Sequence, residues 1–412
     1  MQTKLFRRDF TLVVAGQIIS LFGNAILRFA LPLYLLRQTG SAALFGTVTA
    51  CSFAPMVLLS MAGGVLADRV NKRNIMVGLD FSTAAIILLF YFALGKLPTV
   101  PLFIAVLMLL YGISGTYQPA VQASVPLLVP PDRLMAGNAV INQVNTLSGL
   151  LGPVIGGVMF SLWGIDPILL LSAACFALSA VMELFIRIPH QKRPRDAGVF
   201  RTVAMDLKES YRFVKTEKPV FFSVVWLVSL FNLVLSAVMI VGTPILITQV
   251  LGLSDTLYGF TQGALALGGL CGGILAALVS QKLKIQNSYL LLLVCAAAVA
   301  VMGLVLFLNL PVLLCYGAVT LMSFAAMGAS TLFMVQIYTL VQTQTPPLLV
   351  GKIMAALIAL AMCGQPVGQA VYGVLFDVFS AHTWAVLIGA AAAAFGIALY
   401  SQKVFARLAD GR

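Results

Sequence analysis

Gly64-Val65-Leu66-Ala67-Asp68-Arg69-Val70-Asn71-Lys72-Arg73 sets a short turn bearing Arg69, Lys72 and Arg73 between two long apolar runs. An apolar helix needs about 20 residues to cross a bilayer, and charge cannot easily follow it into hydrocarbon, so such a turn reads as the link between two membrane-crossing helices. Working outward, further apolar windows recur along the whole chain. They fall near 11–36, 42–67, 74–95, 101–125, 136–162 and 165–188, then 219–247, 256–280, 287–309, 311–340, 352–378 and 383–404. Between the sixth and seventh lies one long basic, polar segment. The chain thus divides into a six-span half (1–188), a linker (189–218) and a second six-span half (219–412).

Composition agrees. Of 412 residues, 61% are hydrophobic and 9% charged, which makes lipid the principal solvent. The formal charge of +12 would suggest nucleic-acid binding if position were ignored, but the basic residues sit in short loops between apolar runs and form no basic patch. Arg69, Lys72, Arg73, Arg133, the linker, Lys282, Lys284 and Lys352 all fall on one side of a twelve-span arrangement, with Arg37 and Lys96 opposite. The bias toward positive charge on the inner side predicts cytoplasmic N- and C-termini. The six cysteines lie in apolar stretches without metal or redox spacing, and two histidines with no acidic cluster argue against a metal site or a membrane-embedded lipid-modifying enzyme. No phosphate-binding loop for ATP occurs. No cofactor, metal or nucleic-acid partner is expected, only the bilayer, a small-molecule substrate and protons, with the chain working as a monomer.

Two internal matches suggest a repeat of six spans. Gly63-Gly64-Val65-Leu66-Ala67-Asp68 is echoed by Gly272-Gly273-Ile274-Leu275-Ala276-Ala277, and Pro130-Pro131 with Arg133-Leu134-Met135-Ala136 by Pro346-Pro347 with Lys352-Ile353-Met354-Ala355. The opening stretch resembles the signature loop of the major facilitator superfamily, with Asn71 where a Gly usually stands. Asn tolerates left-handed backbone, so the turn can survive. Gly16-Gln17, Ser20, Gly23-Asn24 and Ala30-Leu31-Pro32-Leu33 resemble the first span of the macrolide-efflux and enterobactin-exporter branch. Gly152-Pro153 with Gly156-Gly157 resembles the antiporter motif of drug exporters. These likenesses imply an all-α membrane fold of twelve helices in two pseudo-symmetric bundles, alternating access, and export. They make Gly64, Asp68, Arg69, Lys72 and Arg73 a gating loop. Asp68 can latch the unpaired N–H groups that begin span eleven, and its counterpart in the second half is Ala277.

Polar side chains are costly in hydrocarbon and should turn toward water or substrate. Gln17, Asn24 and Arg28 of span one, Tyr117 and Gln118 of span four, Asn142 of span five, Asn232 of span seven and Gln365 of span eleven are therefore the cavity candidates. Phe29, Tyr34, Phe231, Phe324, Met327 and Met334 are apolar candidates for the same lining, although packing explains most such residues. Arg28 is either a cavity cation or an arginine paired with Asp377 or backbone carbonyls. Gly149, Gly152 and Gly156 share one face of span five, which with Pro153 and Gly157 is expected to pack against a helix of the other half.

A proton antiporter needs a titratable group near its path. Asn24 stands where the branch has an acid, which leaves Asp80 and Asp377 as coupling candidates. Glu183, with Arg187 one turn on, reads as a surface pair. The function expected is a proton-coupled secondary exporter of a moderately hydrophobic organic compound at the cell membrane. The alternative is a lysolipid or metabolite flippase or uniporter without proton coupling.

Overall fold

A computed structural model describes residues 6–130, 133–188, 199–279, 285–346 and 349–409. Among these, twelve helices are long and apolar enough to cross a membrane. They are Arg8–Thr39, Ala42–Ser60, Lys72–Ala93, Thr99–Leu128, Leu134–Trp163 and Ile165–Leu184, followed by Val220–Val250, Asp255–Leu278, Ile285–Phe307, Val312–Gln344, Lys352–Val378 and Ser380–Phe405. The twelve-span expectation holds, and boundaries move by a few residues because helices extend past the apolar core into their loops. Ranges set by hydropathy miss those polar ends.

The helices form two compact units. Unit 1 comprises 1–39 and 51–199; unit 2 comprises 40–50 and 200–412, so the first turns of span two belong with the second unit. Within unit 1, span one packs on spans five and six, and span three on spans four and six. The helix of span two continues to Arg69 and meets span four closely, with a Cβ at Gly63 falling on the Thr116 backbone and one at Gly115 falling on the Met56 carbonyl. Within unit 2 the same scheme recurs six spans later: seven with eleven and twelve, nine with ten and twelve, eight with ten. Gly268 and Gly272 of span eight take the part of the small residues there, lying against Phe324 and Gly328 of span ten. One pairing scheme used twice is what a duplicated six-helix unit produces.

Residues 189–198 of the basic segment lie outside the described residues. Its remainder holds a helix, Val199–Thr216, whose Phe213 and Val214 pack with Phe221, Val341 and Ile353. Lys352 bonds Glu209 at 2.7 Å. Span seven departs from α-geometry twice, with wide turns at Asn232–Ser236 and Ile245–Val250. Such widened turns cluster at functional positions in helices.

Candidate functional site

Unit 1 contains a polar cluster built from spans one, three, four and six. Gln17, Asp80 and Glu183 are each no more than 2% exposed. Gln17 Nε2 donates to Tyr117 Oη at 2.7 Å, and Tyr117 Oη donates to Glu183 Oε1 at 2.7 Å. Ser179 Oγ donates to the Gly16 carbonyl at 3.1 Å, and Asp80 lies within electrostatic reach of Glu183. Gly16 makes this approach possible: a Cβ there would sit 3.3 Å from Ser179 Oγ and 3.6 Å from Glu183 Cγ. Tyr117 is part of an apolar core with Phe10, Met76, Val121 and Ile186, which walls the cluster off on that side. Two carboxyl groups held here as anions cost several kcal/mol per ion unless a cation or a proton joins them.

Asp80, a coupling candidate, and Gln17 and Tyr117, cavity candidates, thus lie in one cluster, but Glu183 is not a surface residue. It is fully buried, and Arg187 does not pair with it; the Arg187 backbone N–H donates to Asp9 Oδ1 at 3.0 Å. The i, i+4 spacing misleads because Glu183 continues a stripe with Ser172 and Ser179 that faces span one, where Ser172 Oγ donates to the Gly23 carbonyl at 3.3 Å. That stripe of small and polar residues is the legible signal.

Around the cluster, Asn24 Nδ2 reaches Ser114 Oγ at 3.5 Å, Gln118 is half-buried and Asn142 is exposed. The exposed Arg28 guanidinium lies 4.2 Å from the centre of the Tyr111 ring, a cation–π contact that lowers the cost of a charge in an apolar span. The glycine face of span five has a partner other than the expected one. Gly152 and Gly156 meet Ala25 and Phe29 of span one inside the same unit, and Gly149 has open space. Span one offers small residues at the right spacing, so the closest partner is within the half. Pro153 is half-buried and Gly157 buried. In the signature loop, Asn71 Oδ1 accepts the Arg73 backbone N–H at 3.0 Å and caps span three, with Lys72 and Arg73 half-buried. Gly64, Asp68 and Arg69 lie outside the described side chains.

Asp377, the other coupling candidate, is hydrogen-bonded to the start of a helix within unit 2. Its carboxylate accepts from Ser41 Oγ at 2.7 Å and from the backbone N–H groups of Ala42 at 2.6 Å and Ala43 at 3.0 Å, capping the start of span two within unit 2. An anion at a helix N-terminus satisfies orphan donors and the helix dipole together. Asp377→Ala is expected to cost about 1–2 kcal/mol. Hydrogen exchange at the Ala42 and Ala43 amides would then accelerate roughly tenfold if the loss is local.

Unit 2 holds an apolar cavity of about 450 Å3 lined by spans seven, eight, nine, ten and eleven. Asn232 and Ser236 bring polarity to it from the first widened turn, with Asn232 Nδ2 donating to the Ala361 carbonyl at 3.2 Å. Met239, Met327, Met334 and Tyr338 supply adaptable apolar surface. Phe231 also lines the cavity, whereas Tyr34 is engaged in packing, stacked on Phe103 at 5.5 Å. Gln365 is half-buried and does not line it. A chamber this size suits a drug-sized molecule.

A sequence profile of the Major Facilitator Superfamily matches residues 13–364. The chain belongs to that superfamily. Among relatives, macrolide efflux protein A of Streptococcus pyogenes is 24% identical over 402 residues, covering 93% of each chain. The enterobactin exporter EntS of Shigella boydii serotype 4 is 25% identical over 367 residues, covering 88% of this chain and 84% of that one. Among solved structures, a bacterial homologue of the human lysosomal transporter Spinster superposes with a TM-score of 0.76 at 13% identity, covering 98% of this chain and 97% of that one. This major facilitator chain is accordingly a multi-pass membrane transporter of a small molecule, with efflux pumps among its relatives, and not an enzyme.

Proposed function

We propose that this transporter is a proton-coupled exporter of a moderately hydrophobic organic compound, working as a monomer in the cell membrane with both termini in the cytoplasm. The observation that carries the reading is the buried Asp80–Glu183–Tyr117 cluster, two carboxyl groups kept from water in a helical bundle that supplies them no basic side chain among the hydrogen-bonded partners of the described residues. Such a site binds and releases protons as its exposure changes, which is the chemistry antiport requires. The apolar, methionine-rich cavity of unit 2 supports the substrate class, and the efflux relatives support the direction.

The test is accumulation of a fluorescent dye or a macrolide in inverted membrane vesicles under an imposed pH gradient. Uptake that follows the gradient supports the reading. Uptake that ignores the gradient and follows substrate concentration alone supports the uniporter or flippase. Filling the cavity tests the substrate site separately: Met334→Trp is expected to weaken apparent dye affinity about tenfold, the scale on which apolar pockets distinguish small differences in size. Unchanged affinity would move the substrate elsewhere.

A further inference from the structure

Among the described residues, four oxygens of the unit 1 cluster have no hydrogen-bond partner: Gln17 Oε1, Ser20 Oγ, Asp80 Oδ2 and Glu183 Oε2. All four residues are at least nine-tenths buried. Orphaned buried oxygens are rare in folded proteins, and each costs about 1–3 kcal/mol. Ser20 and Asp80 also border a small cavity of about 20 Å3, whose other lining is Asn24, Thr83, Ser114, Tyr117 and Gln118 together with apolar side chains of spans one, four and six. That volume takes a single water or an ion of similar size. A proton passing onto a carboxyl group needs no such space.

We propose that this cavity is a sodium site, with Asp80 supplying the negative charge and Ser20, Asn24, Ser114 and Gln118 the neutral oxygens available to an ion. Hard, oxygen-only ligands suit an alkali or alkaline-earth ion and not a thiolate- or imidazole-seeking metal. Asp80 is the one carboxylate lining the cavity, so a monovalent ion leaves the site neutral, whereas calcium or magnesium would leave a buried positive charge uncompensated. Potassium has nearly water's own radius and competes for the same space, so the binding assay sets the two ions against each other. The inference goes beyond proton coupling, because it assigns the carboxylate of Asp80 to either of two ions.

A metal ligand must be deprotonated, so sodium and protons compete at Asp80 and sodium binding strengthens as pH rises. The titratable groups facing Asp80 are Glu183 from span six and Tyr117 from span four. Span one brings Gln17, Ser20 and Asn24, which do not titrate.

The experiment is equilibrium binding of radioactive Na+ to the purified full chain in phospholipid nanodiscs. Saturable binding displaced by unlabelled Na+ and not by K+ is expected, weakened roughly tenfold by Ser20→Ala and more by Asp80→Asn. The Ser20→Ala variant removes one oxygen at nearly constant volume and keeps the test valid should Asp80→Asn fold poorly. No saturable binding in the wild type, the cavity then holding water only, overturns the proposal, as does binding undiminished in both variants. Dye accumulation driven by a pH gradient in Na+-free choline medium separates the two readings. If it persists where Na+ binding fails, proton coupling stands without the sodium site; if it fails where Na+ binding is found, the site stands and the proton reading falls.

Discussion

Vesicles carrying Asp80→Asn together with Glu183→Gln are expected to lose all pH-driven accumulation of substrate while still exchanging internal for external substrate. With one proton exchanged per substrate, each pH unit of gradient supplies about 1.36 kcal/mol and supports roughly tenfold accumulation. The double variant should fall to no accumulation at any gradient. Exchange survives because it needs only the cavity of unit 2 and the alternation of the carrier, not a change in protonation. The substitutions should not unfold the chain. In Glu183→Gln the amide oxygen would still accept the Tyr117 hydroxyl that Glu183 Oε1 accepts now, and removing buried charge often leaves stability unchanged or raises it. A double variant that still concentrates dye would place coupling elsewhere.

Gly368→Ala should have the largest effect on folding. Gly364 and Gly368 form one face of span eleven against span seven, and a Cβ at Gly368 would land on the Leu233 carbonyl, with Ala237 Cβ beside it. Backbone cannot retreat as a flexible side chain can, so the helices must separate and lose their packing along the contact. Overpacking of this kind costs about 1–3 kcal/mol. In a membrane, where helix association depends on such close contact, that is a large share of what holds span eleven to span seven. Gly389→Ala is the control, because nothing lies within 4 Å of a Cβ there and alanine is the better helix former. Thermal unfolding in detergent should drop for Gly368→Ala and hold or rise for Gly389→Ala. Equal melting points would show that the close approach does not carry the stability argued for it.

The spans are legible in the sequence because hydrocarbon imposes one rule on every residue, and that rule is local. The signature loop and the first-span likeness are legible for the same reason, since each lies in one continuous stretch. Partner choice is not. Asp377 sits in a span like a coupling acid, yet its oxygens cap span two through Ser41, Ala42 and Ala43, contacts that join residues more than 330 apart in sequence. Glu183 sits one turn from an arginine, yet its helix face turns toward Gly16 and Tyr117. The glycines of span five do line a packing face, as their spacing suggests, but the neighbour they meet is span one of the same unit. Helical periodicity tells which residues share a face; only the pairing of helices tells what that face meets.

The most direct measurement is of protons released when substrate binds. In weakly buffered detergent solution, adding a macrolide or dye to the purified wild-type transporter should acidify the medium in proportion to occupied sites, and the Asp80→Asn/Glu183→Gln protein should bind the same compound without acidification. Substrate binding with no proton release by the wild type, or equal release by both proteins, would contradict the assignment of coupling to this cluster.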